Sequence, residues 1–162
     1  MKAEKSTSCV INSSSSTNAL LIPSMVLHHI GYAVKHLQDG INSFSCLGYK
    51  RVSPSVPDEA RAVEICFLEK DGIKVELVAP LRKGSPIDKA LASGTGMPYH
   101  FCYEVNSLQG CTEVLIKNGF AVLFPPSPAP ACDNRLVSFL FEKTIGIIEL
   151  IERNIKDEAD RT

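Results

Sequence analysis

The sequence predicts an α+β fold built from two tandem βαβββ modules. Two observations carry that prediction. The order of strand-like and helix-like segments between Val26 and Glu152 runs through twice, and the same polar pair marks both passages. His29-Ile30-Gly31-Tyr32-Ala33-Val34 resembles His100-Phe101-Cys102-Tyr103-Glu104-Val105, 71 residues on from His29 to His100. Val75-Glu76-Leu77-Val78 resembles Ile148-Glu149-Leu150-Ile151, 73 residues on from Glu76 to Glu149.

Each element follows from local chemistry. Leu27 to Val34 is a strand, and Leu37 to Leu47 a helix that Gly48 ends, because glycine adopts the left-handed conformation of a helix terminus. Tyr49 to Ser53, Ala62 to Glu69 and Lys74 to Ala79 are strands, the last two joined by the turn Lys70-Asp71-Gly72. Ser85-Pro86-Ile87-Asp88 reads as a capped helix start, with Gly94 as the stop. After Gly94-Thr95-Gly96 the order recurs: strand Tyr99 to Val105, helix Leu108 to Asn118 closed by Gly119, strand Phe120 to Phe124. A proline-rich loop from Pro125 to Asp133 follows, then strands Leu136 to Phe141 and Ile147 to Ile151. The modules span about residues 26–80 and 97–152 of a domain at 25–153. Residues 1–24 hold seven serines and read as a disordered leader, and 154–162 as a charged tail.

Composition narrows the partners. With 17 basic and 18 acidic residues the net charge is −1, which gives no electrostatic reason to bind nucleic acid. No apolar run approaches the roughly 18 residues of a membrane span. The six cysteines have no C-x-x-C spacing and read as reduced thiols in the cytoplasm.

Strand parity then isolates four polar residues. His29 shares a face with Gly31 and Ala33, away from Ile30, Tyr32 and Val34, and His100 repeats the pattern with Cys102. Glu76 and Glu149 likewise oppose their apolar neighbours. If the modules pair about a pseudo-twofold axis, two imidazoles and two carboxylates converge in one cleft. That set suits a divalent metal with positions left open for substrate. Glu64 opposes Val63, Ile65 and Phe67, so the same parity argument makes it a fifth, asymmetric cleft acid.

These motifs, together with Ser85-Pro86-Ile87-Asp88-Lys89-Ala90-Leu91 and Gly146-Ile147-Ile148-Glu149-Leu150-Ile151-Glu152, resemble the vicinal oxygen chelate (glyoxalase-like) superfamily, and within it the methylmalonyl-CoA epimerases. The resemblance covers about Leu27 to Glu152. It implies that the modules form one curved mixed sheet around a metal-binding cleft, with His29, Glu76, His100 and Glu149 as ligands. It leaves the ion open among Co, Mn, Ni, Zn and Mg. It further implies α-proton transfer on an acyl-CoA-like or carrier-protein-bound thioester, with Glu64 and Glu149 as catalytic carboxylates, and allows a homodimer. Two features depart from the epimerases: Phe141-Glu142-Lys143-Thr144 stands where they carry a His-Pro-Lys turn, and the 125–133 segment is unusually rich in proline. Glu76, where epimerases often have glutamine and glyoxalase I commonly has glutamate, keeps a glyoxalase I-like lyase as the alternative. A metal-free binding or resistance protein of the same fold is the other alternative, with little reason to keep the four ligands together.

Overall fold

The computed structural model describes residues 24–154; the leader, apart from Ser24, and the tail beyond Asn154 lie outside the described residues. The first half comprises β1 (Val26–Ala33), α1 (Leu37–Cys46), β2 (Lys50–Arg51), β3 (Val56–Asp58), β4 (Val63–Lys70) and β5 (Ile73–Pro80). The second comprises β6 (Met97–Val105), α2 (Leu108–Lys117), β7 (Ala121–Ala129), a 3-10 turn (Pro130–Cys132), β8 (Arg135–Glu142) and β9 (Gly146–Glu152). The expected βαβββ order is present in both halves, with β3 as a short addition to the first.

All strands join one mixed sheet in the order β2-β4-β5-β1-β6-β9-β8-β7, with β3 on β4. Inside each half the outer strands pair in parallel, β1 with β5 and β6 with β9. The halves meet where β1 and β6 run antiparallel. Local signals explain the joints. Asp71 and Gly72 both take positive φ (51° and 77°), as the two-residue turn between β4 and β5 requires. Gly48 follows α1 at φ 90°, and Ser107 Oγ caps α2 by accepting the Gly110 N–H at 3.1 Å.

Both faces of the sheet carry buried apolar clusters. On one, α1 seats Leu37 and Ile41 on Cys66, Leu68, Val75 and Leu77, and α2 seats Leu108, Cys111 and Leu115 on Leu140, Ile148 and Leu150. On the other, Val63, Ile65 and Phe67 of β4 share a cluster with Cys102 of β6, Val137 of β8 and Ile151 of β9. Strands β4 and β8 lie five positions apart in the order, about 24 Å in a flat sheet at the usual strand spacing. Their contact through one core therefore requires the sheet to curl round. Arg61, next to β4, ties the rim: it pairs with buried Asp58 and donates to Pro128 O (3.0 Å) and Ser127 Oγ (2.6 Å) on β7.

Two expectations are corrected. Residues 85–94 form successive turns, not a helix. Asp88 Oδ2 accepts from Gly84 N (2.8 Å) and Ser85 Oγ, which is buried, caps nothing; Ile87 anchors the segment in the core. The expected 125–133 loop is strand as far as Ala129. Proline is tolerated there because β7 is the sheet's outermost strand on that side and pairs on one side only.

The β1/β6 seam is tightly fitted. His100 lies opposite Gly31, and a Cβ on Gly31 would overlap the His100 ring at Cε1 and Nδ1. Gly31→Ala is expected to destabilise the fold by about 2 kcal/mol in urea unfolding, and His100→Ala in the same chain to recover much of that loss. At the rim, Asp58→Asn strands a largely buried Arg61 and is expected to cost about 3 kcal/mol by the same measurement.

Candidate metal centre

The seam gathers the four polar residues from four adjacent strands. His29 on β1 faces Cys102, His100 on β6 faces Gly31, Glu76 on β5 lies beside Gly31, and Glu149 on β9 lies beside Cys102. The parallel registers match: in each half the carboxylate pairs with the residue two beyond the histidine. A small residue faces each imidazole, which leaves the rings room to meet across the seam. His29, Glu76, His100 and Glu149 are 1%, 5%, 2% and 3% exposed.

Their tips form a tight cluster. The two Nε2 atoms are 3.2 Å apart, and Glu149 Oε2 lies 3.1 Å from both. Glu76 Oε2 lies 3.4 Å from His29 Nε2 and 3.6 Å from His100 Nε2. Glu149 Oε2 makes no aligned hydrogen bond despite its closeness to both rings, whereas the two Nε2 atoms are within hydrogen-bonding distance of each other. Burial alone would lower the His29 pKa, but Glu76 and Glu149 outweigh it and push it up to about 9. Burial would raise Glu149, and the two imidazoles at its Oε2 override this and hold it well below the usual carboxylate range. The cluster therefore draws positive charge.

Several wall residues were not singled out by sequence parity. Phe67 and Phe139 stand edge-on to His29 and His100, at 5.2 and 5.5 Å between ring centres. Register shifts in the β1/β6 pairing make His28 and Tyr99 extra residues, each immediately before a cluster histidine. His28 Nδ1 lies 2.8 Å from His29 Nδ1, and Tyr99 packs edge-on against His100 at 4.5 Å. Burial first, then His29, Arg135 and Lys74, lower the His28 pKa to about 3 and keep it neutral. Burial, reinforced by Glu76 and Glu149, raises the Tyr99 phenol well above its ordinary value. The sequence signal for these two was their shared place, one residue before each repeated histidine.

Glu64 does not belong to this group. It pairs with Ala79 and shares strand parity with Cys66 and Leu68, which pack on the α1 side of the sheet. The cleft side of β4 is the apolar one, Val63, Ile65 and Phe67. The expectation failed because it took bulky side chains to point away from the cleft, whereas the cleft has an apolar floor.

The cluster fits a divalent cation by chemistry and spacing. Two imidazole nitrogens and two carboxylates are a mixed N/O donor set, and ligand atoms about 2.1 Å from an ion lie about 3.0 Å apart in an octahedron and about 3.4 Å in a tetrahedron. The observed separations of 3.1 to 3.6 Å match this range. The four ligand atoms lie within 4.8 Å of one another.

Residues 28–139 match the glyoxalase/bleomycin resistance protein/dioxygenase superfamily. The chain is 31% identical over 129 residues to ethylmalonyl-CoA/methylmalonyl-CoA epimerase of Cereibacter sphaeroides, covering 76% of this chain and 95% of that protein. Among solved structures, methylmalonyl-CoA epimerase from Mycobacterium tuberculosis superposes with a TM-score of 0.70 at 22% identity, over 88% of this chain and 99% of that one. A Streptomyces coelicolor methylmalonyl-CoA epimerase variant in complex with 2-nitronate-propionyl-CoA superposes at 0.68 with 21% identity, over 80% and 98%. By sequence match, sheet topology and the duplicated cluster, the chain belongs to the glyoxalase/bleomycin resistance protein/dioxygenase superfamily and is an epimerase-like enzyme within it.

Proposed function

We propose that the chain is a metal-dependent epimerase that inverts the α-carbon of an acyl-CoA thioester of the methylmalonyl-CoA kind. The observation that carries this reading is the buried cluster of His29, Glu76, His100 and Glu149, assembled from both halves of the sheet. The similarity to the Cereibacter epimerase supports the substrate class.

In this reading His29 and His100 Nε2 and the Glu76 and Glu149 carboxylates hold the ion. A bound divalent ion would supply Lewis-acid polarisation of two substrate oxygens, which makes the α-proton easier to remove. Inversion needs one carboxylate to take a proton from one face of the α-carbon and a second acid to return one on the other. Glu149 and Glu76 come from opposite halves and are the two carboxylates at the cluster, so Glu76 takes the second role that the family resemblance implied for Glu64. The oxygen of each carboxylate that the ion does not engage would carry the proton. Phe67 and Phe139 limit water around the imidazoles, and so protect the reacting carbon from stray protonation. The five described cysteines are unpaired, which supports placing the enzyme in a reducing compartment such as the cytoplasm.

Solvent-deuterium exchange at the α-carbon of methylmalonyl-CoA, followed by NMR, tests the reading. Glu149→Gln and Glu76→Gln are each expected to slow exchange by about 10²-fold or more, while Glu64→Gln stays within about twofold of the parent. Exchange unchanged in either cluster variant overturns its role. Turnover of the methylglyoxal–glutathione hemithioacetal without exchange on methylmalonyl-CoA would make the protein a glyoxalase I-like lyase, the reading that Glu76 keeps open. Separately, elemental analysis after dialysis against chelator and then Co²⁺ is expected to give about one equivalent per chain, with a raised melting temperature, and His100→Ala is expected to lose both. Parent protein that takes up no ion would favour a metal-free binding protein.

A further inference from the structure

Two residues before Glu76, on the same face of β5, stands Lys74, about 7 Å along the strand. Arg135 begins β8 and shares the parity of Val137, so it faces the same interior. Both line a cavity of about 160 Å³ whose walls also include His28 and Phe67. The two cations are half-buried, and neither forms an ion pair among the described residues. The Lys74 ammonium stands 6.0 Å from the centre of the Phe67 ring. Arg135 spends only Nε, on Cys132 O at 3.4 Å, and Nη2, on His28 Nε2 at 3.0 Å; its Nη1 makes no hydrogen bond. Asp133, the one acid on the wall, is exposed.

Charge balance links this cavity to the cluster. Glu76 and Glu149 contribute −2 and Lys74 and Arg135 +2, so a divalent ion held with neutral imidazoles leaves the enclosed group at +2. Away from bulk water, charges about 7 Å apart interact strongly enough to change an affinity by about tenfold. The two unpaired cations therefore oppose the ion, and an anion seated between them would favour it. We propose that the cavity binds a free tetrahedral oxyanion of the sulfate or hydrogen phosphate kind, and that this anion and the ion at the cluster strengthen each other's binding. Arg135 Nη1 and Lys74 Nζ are its donors. The size agrees: at about 30 Å³ per water the space holds about five waters, room for a four-oxygen anion. A free anion fits better than a coenzyme phosphate, because the cavity lies one strand repeat from the cluster, whereas a whole pantetheine arm separates the phosphates of CoA from the reacting carbon. The coupling rests on the metal reading above; the anion site itself does not.

Calorimetric titration of Co²⁺ into chelator-treated protein, in sodium sulfate and in sodium chloride of equal ionic strength, tests the coupling apart from any epimerase activity. Sulfate is expected to tighten Co²⁺ binding about tenfold. By reciprocity, Co²⁺-loaded protein is expected to bind sulfate about tenfold more tightly than chelator-treated protein. The Arg135→Met, Lys74→Met double variant is expected to bind Co²⁺ more tightly than the parent in chloride and to lose the response to sulfate, whereas structural damage would weaken Co²⁺ binding. Arg135→Lys keeps the charge and is expected to keep part of the response; Lys143→Met removes an exposed cation outside the cavity and is expected to keep all of it. A sulfate response that persists in the double variant, or weaker Co²⁺ binding by that variant in chloride, overturns the proposal. So does a rise in KM on Arg135→Met that is confined to methylmalonyl-CoA and absent with methylmalonyl-pantetheine, which would assign the cations to the coenzyme phosphates. Protein that binds sulfate but takes up no Co²⁺ overturns the metal reading and the coupling with it, while the anion site stands.

Discussion

Two carboxyl groups and two imidazoles buried together at one seam impose the main constraint on this molecule. An apolar interior tolerates such a group only if the charges balance and the geometry is held, since each uncompensated charge costs several kcal/mol. The rest of the architecture meets that demand. Matching parallel registers bring each carboxylate to the residue two beyond its histidine. Gly31 and Cys102 give the rings space, and aromatic walls fix their planes. Positive charge is what the cluster still requires, and His29 carries it where no metal ion does so.

The duplication explains why the site lies between the modules and not within either one. Each half supplies one nitrogen and one carboxylate, an incomplete donor set, and the antiparallel contact of β1 with β6 completes it. The halves have diverged around that shared frame. The extra residue before the histidine is His28 in one half and Tyr99 in the other. One ring hydrogen-bonds its neighbour and leads on to Arg135, while the other only packs, and His100 Nδ1 is left without a partner. A symmetric cluster thus has asymmetric surroundings.

Much of this was legible in the sequence because strand parity is a strict period of two, and the four cluster residues obey it in duplicate. The same rule misplaced Glu64. Parity says which residues share a face but not which face the cleft occupies, and on β4 both faces are apolar, Val63, Ile65 and Phe67 on one and Cys66 and Leu68 on the other. Ser85 failed as a cap for a different reason. A serine before proline is a local signal, and the segment's conformation is set by Ile87 in the core and by Asp88 bonding back to Gly84. His28 and Tyr99 were hidden because a bulge changes parity at one residue and leaves no compositional mark.

The prolines of β7 have a bearing on how the molecule behaves among its own copies. An open sheet ends in strands with unpaired backbone groups, which can template pairing with another chain. Here β7 ends the sheet with Val122, Leu123 and Phe124 exposed, a segment of the kind that invites such growth. Pro125, Pro126 and Pro128 have no N–H to offer, so an incoming strand could form only a broken ladder beyond Phe124. At the other end of the sheet β2 and β3 are two and three residues long, too short to guide extension. The free edges of the curled sheet are thereby blunted against polymerisation.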